Sequence, residues 1–193
     1  MDDRMTMQFN YYLEQQCMFC QFAYESLVLE EMKRNKSIDR MWFSVQNLLT
    51  AAGNISKVFW PAQRGAKNGS KRARYVERGR KLRERLGVKD NSPLQSRRLR
   101  DTFEHYDERM QDWLGDNPNK GFSESGVFSG CKVPEFPDWH LRSLVLDTKT
   151  VIYLEESVSL RQIVDEAGQL LKMVQADVTK LRSKQTGKSQ ARD

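Results

Sequence analysis

A chain of 193 residues, 38% hydrophobic and 30% charged, is long enough for one domain with a real core and short for two. Its longest apolar runs fall far below the ~20 residues that span a bilayer. The start, Met1-Asp2-Asp3-Arg4, is acidic rather than signal-like, and three cysteines make no disulfide framework; a cytoplasmic protein with no membrane partner is expected. The net charge of +6 is concentrated: residues 64–100 hold fourteen Lys/Arg against three acids, leaving 18 basic and 23 acidic residues for the rest. Such asymmetry points the middle of the chain toward a polyanion, with a solvated, ion-paired helix face as the competing reading.

The first expected element is a long helix, about 5 to 35, in which Phe9, Tyr12, Leu13, Gln16, Phe19, Cys20, Ala23 and Leu27 recur at helical spacing with no Pro or Gly between them. A turn at Asn35-Lys36-Ser37 leads to a second helix, ending near Val58 before Trp60-Pro61, because proline cannot continue it. Residues 62–70 form a small basic loop. A basic helix, Lys71 to Leu86, follows and stops at Gly87. Ser92-Pro93 has the form of an N-cap and first helical position for a fourth helix reaching Trp113-Leu114.

Residues 116–140 are rich in Gly, Pro, Ser and Asn and are expected to be an irregular loop. Segments 141–147 and 150–155 alternate and are β-branched, which makes a hairpin about Asp147-Thr148-Lys149. A last helix runs from Val158 to about Ser183, and 184–193 is expected to be a flexible tail. The expected fold class is therefore all-α: a single bundle of about five helices with one small appended β-hairpin at about 141–155.

The chemistry-bearing stretch is Arg97-Arg98-Leu99-Arg100-Asp101-Thr102-Phe103-Glu104-His105. Imidazole exchanges a proton near neutral pH, and guanidinium neutralises a phosphate whose charge grows in a transition state. This is the minimum equipment for cutting RNA without a metal. On one continuous helix Arg100 and His105 stand ~140° apart and ~7.5 Å apart along the axis, poorly placed to grip one phosphate. Two copies related by a twofold axis would each lend the other the missing group, so a composite site in a homodimer is expected. The basic helix offers a second surface: Lys71, Arg72, Arg74 and Arg78, with Arg97 and Arg98, are the candidate contacts to a nucleic-acid backbone, and Tyr75 a base-stacking platform.

Arg100, Asp101, three further residues and His105, on a late helix of a basic helical protein, resemble the signature of the HEPN superfamily (higher eukaryotes and prokaryotes nucleotide-binding). Its motif is Arg, four to six residues and His, with Asn, Asp or His typically first in the spacer. The resemblance covers residues 5–115 and the last helix. It implies a metal-independent, dimeric endoribonuclease needing no cofactor, of a kind found in toxin–antitoxin and antiviral systems, with an antitoxin or neighbouring protein as a possible partner. His105 would then move the proton, Arg100 contact the phosphate and Asp101 orient, leaving a 2′,3′-cyclic phosphate and a 5′-hydroxyl. Other members have lost activity and act as binding modules, which is the alternative reading. Cys17-Met-Phe-Cys20 lies inside a helix among aromatics without a second ligand pair and is expected in the core, with no metal. His140, in a loop before a strand, is expected to be structural or superficial.

Overall fold

The computed structural model describes residues 1–63, 67, 69–95, 105–119, 123–130, 140–154 and 156–190. Three long helices make the frame: α1 (Asp3–Glu31), α2 (Ile38–Phe59) and, after the sheet, α5 (Leu160–Gln190). Between α2 and the sheet lie the basic α3 (Lys71–Leu86), a 3-10 turn (Pro93–Gln95) and the short α4 (Tyr106–Asp116). Local chemistry explains the boundaries. Asp2 accepts from the Met5 N–H at 2.7 Å, Ser37 caps α2, Ser70 accepts from Ala73 N–H at 3.1 Å, and Gly87 closes α3 at φ 69°, a left-handed conformation that other residues resist.

The core is built from facing stripes. On α1, Leu13, Cys17, Cys20 and Leu27 step by three, four and seven and are fully buried against Val45, Leu48 and Ile55 of α2 and Leu160, Ile163, Ala167 and Val174 of α5. Polar links lock the frame. Asp177 of α5 accepts from Asn10 of α1 at 2.8 Å and from Arg85 of α3 at 2.7 Å, joining three helices at one carboxylate. Burial pushes this carboxyl up, but the two hydrogen bonds outweigh it and hold it below its ordinary 3.8. A depressed folded pKa means that the unfolded chain binds more protons, so this contribution is present above the ordinary value and disappears as pH falls through the lower folded one. Asp177→Asn is expected to cost about 1 kcal/mol in urea unfolding at neutral pH, allowing for solvent screening. The gap to the wild type should close in acid; an equal gap at both pH values would remove the linkage.

The sheet corrects the expectation of a lone hairpin. Among the described residues it has four strands, β1 (Ser123–Phe128), β2 (His140–Val145), β3 (Thr150–Tyr153) and β4 (Glu156–Ser159), in the order β1-β2-β3-β4. The expected hairpin is β2–β3, antiparallel, turning through Asp147-Thr148-Lys149 with Lys149 at φ 52°. The two unforeseen strands flank it. β1 lies inside the stretch 116–140 expected to be an irregular loop, and pairs parallel to β2 with Gly126 opposite Ser143 and Val127 opposite Leu144. β4 runs into Val158 and Ser159, expected as the start of the last helix; Ser159 instead accepts from the amide of Gln162, at the opening of α5, at 3.3 Å. Both strands are short and serine-rich, so each exists by virtue of its hydrogen-bonding neighbour rather than its own alternation.

Two further boundaries differ. The helical backbone of α5 continues to Gln190, through most of the expected tail 184–193, because nothing before residue 190 breaks the i→i−4 ladder; Thr186 adds a bond to the Arg182 carbonyl at 3.3 Å. Ser92, expected to open the fourth α-helix, caps a 3-10 turn and donates to Glu166 at 2.8 Å. Residues 96–104 of that expected helix lie outside the described residues, and α4 covers Tyr106–Asp116. Among the described residues no helix is long and apolar enough to cross a membrane.

Candidate nucleic-acid interface and catalytic residues

His105 is the residue immediately before α4, and its carbonyl accepts the Arg109 amide at 3.1 Å, opening the helix. Its side chain is exposed, and Nδ1 stands 3.3 Å from the Glu108 carboxylate one turn on. A carboxylate near Nδ1 favours the tautomer that carries its proton there and leaves Nε2 as the proton acceptor. Sequence reasoning missed Glu108 as a partner, although the i,i+3 spacing on a helix was the available signal. Arg100, Asp101, Arg97 and Arg98 lie outside the described residues.

The start of α4 is held from below by Tyr106. Its ring stacks edge-on against Tyr153 of β3 with centroids 5.6 Å apart, and Tyr153 does the same to Trp42 of α2 at 6.1 Å. The Arg142 guanidinium of β2 lies 4.6 Å from the Trp42 ring and 5.9 Å from Tyr106, and pairs with Glu124 of β1 at 2.6 Å. Burial, reinforced by the Glu124 charge, pushes the Tyr106 phenol up to about 12, so it stays protonated. The sheet thus functions as the seat that fixes α4, and with it His105, on the bundle. Tyr106→Ala is expected to speed amide exchange across residues 106–116 by about tenfold or more while α1 and α2 keep their protection. Uniform exchange in the variant and the wild type would mean that α4 is held elsewhere.

The basic helix divides into two halves. Its first turn presents Lys71, Arg72 and Arg74 exposed, beside the exposed ring of Tyr75. Farther along, the cations are spent within the molecule. Arg80 bridges Glu77 and Glu84, Lys81 pairs with Glu77 at 3.4 Å, and Arg85 with Asp177. Arg83 donates to the Phe59 carbonyl and pairs with Asp90 at 3.0 Å. Arg78, expected on the nucleic-acid face, turns inward: it donates to the Val58 carbonyl at 3.3 Å and lies 4.6 Å over the Phe9 ring. Burial lowers its pKa as a result. The bonds from Arg80 and Lys81 outweigh desolvation and hold the Glu77 carboxyl down to about 2. The cations that α3 offers to a polyanion without a described partner are Lys71 and Arg74, and α3 itself packs chiefly on α2 and α5.

Cys17 and Cys20 are fully buried free cysteines; burial pushes both thiols up, Cys20 to about 12, so they pack as small apolar groups, as their setting predicts. His140 begins β2 with its ring edge-on to Phe128, centroids 5.1 Å apart, a packing role. Comparison of the chain with family models, with characterised proteins and with solved structures finds no match.

Proposed function

We propose that the protein is a metal-independent endoribonuclease of the HEPN type, working as a homodimer with a composite site. The observation that carries the reading is His105: exposed at the head of an anchored helix, with Nδ1 3.3 Å from a carboxylate. Arg100 precedes it by five residues, a reach of at most ~17 Å even in an extended chain. In the proposed reaction the 2′-hydroxyl of the substrate attacks the neighbouring phosphorus, an imidazole takes its proton, and the bond from phosphorus to the 5′-oxygen breaks with protonation of that oxygen. Arg100 offsets the charge gathering on the phosphoryl oxygens, Asp101 orients, and Lys71, Arg72 and Arg74, with Arg97 and Arg98, hold the backbone on either side. A defence or toxin-like role and an antitoxin partner belong to the same proposal and rest on the resemblance of residues 100–105 alone, while the proposed cytoplasmic setting rests on the three cysteines and the acidic start.

The second reading, a non-cleaving RNA-binding module, is favoured by one observation: the exposed cations at the start of α3 stand independently of His105. One experiment separates the two. Labelled single-stranded RNA incubated with the protein in EDTA should yield fragments ending in a 2′,3′-cyclic phosphate. Cleavage that stops in EDTA and returns with a divalent ion would sink the mechanism. Intact RNA, bound at low salt and released at moderate salt, would select the binding module.

A further inference from the structure

Helix α1 carries two stripes, and among the described residues only one is covered by the fold. About 130° round the helix from the buried stripe runs a second repeat. Met5, Tyr12, Phe19 and Ser26 recur every seven residues, and Gln8, Gln15, Phe22 and Leu29 each follow one of them by three. These are the two seam positions of a heptad repeat, sustained over four heptads. All eight are exposed and none is charged, in a chain that is 30% charged. Phe22 is 52% and Leu29 62% exposed, and Phe43 of the neighbouring α2, 69% exposed, extends the strip sideways.

Between α1 and α2 the strip deepens into a recess of about 500 Å³, walled by Phe19, Phe22, Phe43, Asn47 and Thr50 and without a Lys, Arg, Asp or Glu in its lining. Three of the polar side chains in it donate internally: Asn47 to the Phe43 carbonyl at 2.7 Å, Thr50 to the Gln46 carbonyl at 2.8 Å and Asn54 to Gln16 at 3.0 Å. Such a surface can be covered without stranding a charge.

We propose that this strip is the contact between two copies of the chain. Three observations choose that occupant. First, the strip is ~36 Å long and, where α2 joins it, ~20 Å wide, on the order of 600 Å² in projection, against about 800 Å² of accessible area per partner in a standard stable interface. A small apolar ligand would fill the recess and leave Met5, Tyr12 and Leu29 uncovered. Second, the repeat is its own complement. In parallel each residue meets itself; in antiparallel Met5 meets Leu29, Gln8 meets Ser26 and Tyr12 meets Phe22. Third, the strip carries none of the net charge of +6, so two copies meeting there bring no like charges into contact.

The inference rests on α1 and α2 and stands whether or not the protein cleaves RNA. The helix direction then bears on the composite site. The sheet and α4 lie at the C-terminal end of α1, where Lys149 pairs with Glu31 at 2.8 Å. Parallel pairing brings two α4 helices to one pole, whereas antiparallel pairing sets them roughly 40 Å apart, the length of α1.

Sedimentation of the full chain should show a dimer at micromolar concentration. The double change Phe19→Glu and Phe22→Glu should weaken it by roughly 100-fold or more with circular dichroism and melting unchanged, and Phe22→Leu should keep it. A monomeric wild type, or a dimer that ignores the double change, would overturn the proposal. Disulfide trapping in a Cys131→Ser background then reads direction. Gln8→Cys and Ser26→Cys each cross-linking to itself means parallel, cross-linking only in a mixture means antiparallel, and both uphold the interface. No cross-link in any combination would overturn it. An antiparallel dimer that still cuts RNA would keep the interface and remove the composite site, so the two proposals fail separately.

Discussion

His105→Ala is expected to abolish EDTA-resistant RNA cleavage, a loss of about 10²- to 10⁴-fold, while the fold and melting temperature stay as they are. The side chain is exposed and its one described partner, Glu108, is more exposed still, so truncation removes chemistry without opening the core. Arg100→Ala should be equally silent in cleavage. The pair also tests how the site is assembled. If each site takes its arginine from one copy and its histidine from the other, mixing the two dead variants regenerates one intact site per mixed dimer, about a quarter of wild-type activity after random exchange. If both groups come from one chain, the mixture stays dead. Full activity in His105→Ala would end the nuclease reading as it stands.

The second large effect is on stability, and its sign is the informative part. Gly79 sits mid-helix in α3, where replacing glycine by alanine ordinarily stabilises by about 1 kcal/mol. Here a Cβ would fall on the Phe59 carbonyl oxygen and within 2.9 Å of Pro61 Cδ, so the helix must retreat from the end of α2. That retreat also pulls Arg83 from the same carbonyl and unseats Leu82, which is fully buried. The net expectation for Gly79→Ala is a loss of about 2 kcal/mol, a fall in melting temperature of ~4–8 °C for a chain of this size. A rise in melting temperature would show that α3 does not approach α2 this closely.

The division between what was legible early and what was not follows the range of the forces. Ser37, Ser70, Gly87 and Pro61 punctuate α2 and α3 within a turn of the residues they act on, so those boundaries could be read from the chain to within about two residues. The alternation of 141–145 and 150–153 likewise carried its own turn. β1 and β4 carry no such signal: Ser123-Glu-Ser-Gly-Val-Phe becomes a strand only because His140–Val145 offers it a ladder from across a connection of eleven residues, 129–139. The same holds in the site. Residue types told that Lys71 through Arg85 is basic, but not that Arg78 would be consumed by Phe9 and Val58, nor Arg85 by an aspartate 92 positions away.

By itself the sequence determined the helical character of this protein, the stripe that α1 and α2 bury together and the place of the proton-transferring candidate, because caps, breakers and periodicity act over a few residues. Only the tertiary structure decided which cations stay in solvent, which aromatic seat holds His105 and that α1 is left with an uncharged second face. Those outcomes depend on which distant surfaces arrive first at each side chain, and burial, ion pairing and strand hydrogen bonds are settled by that arrival rather than by neighbours in the chain.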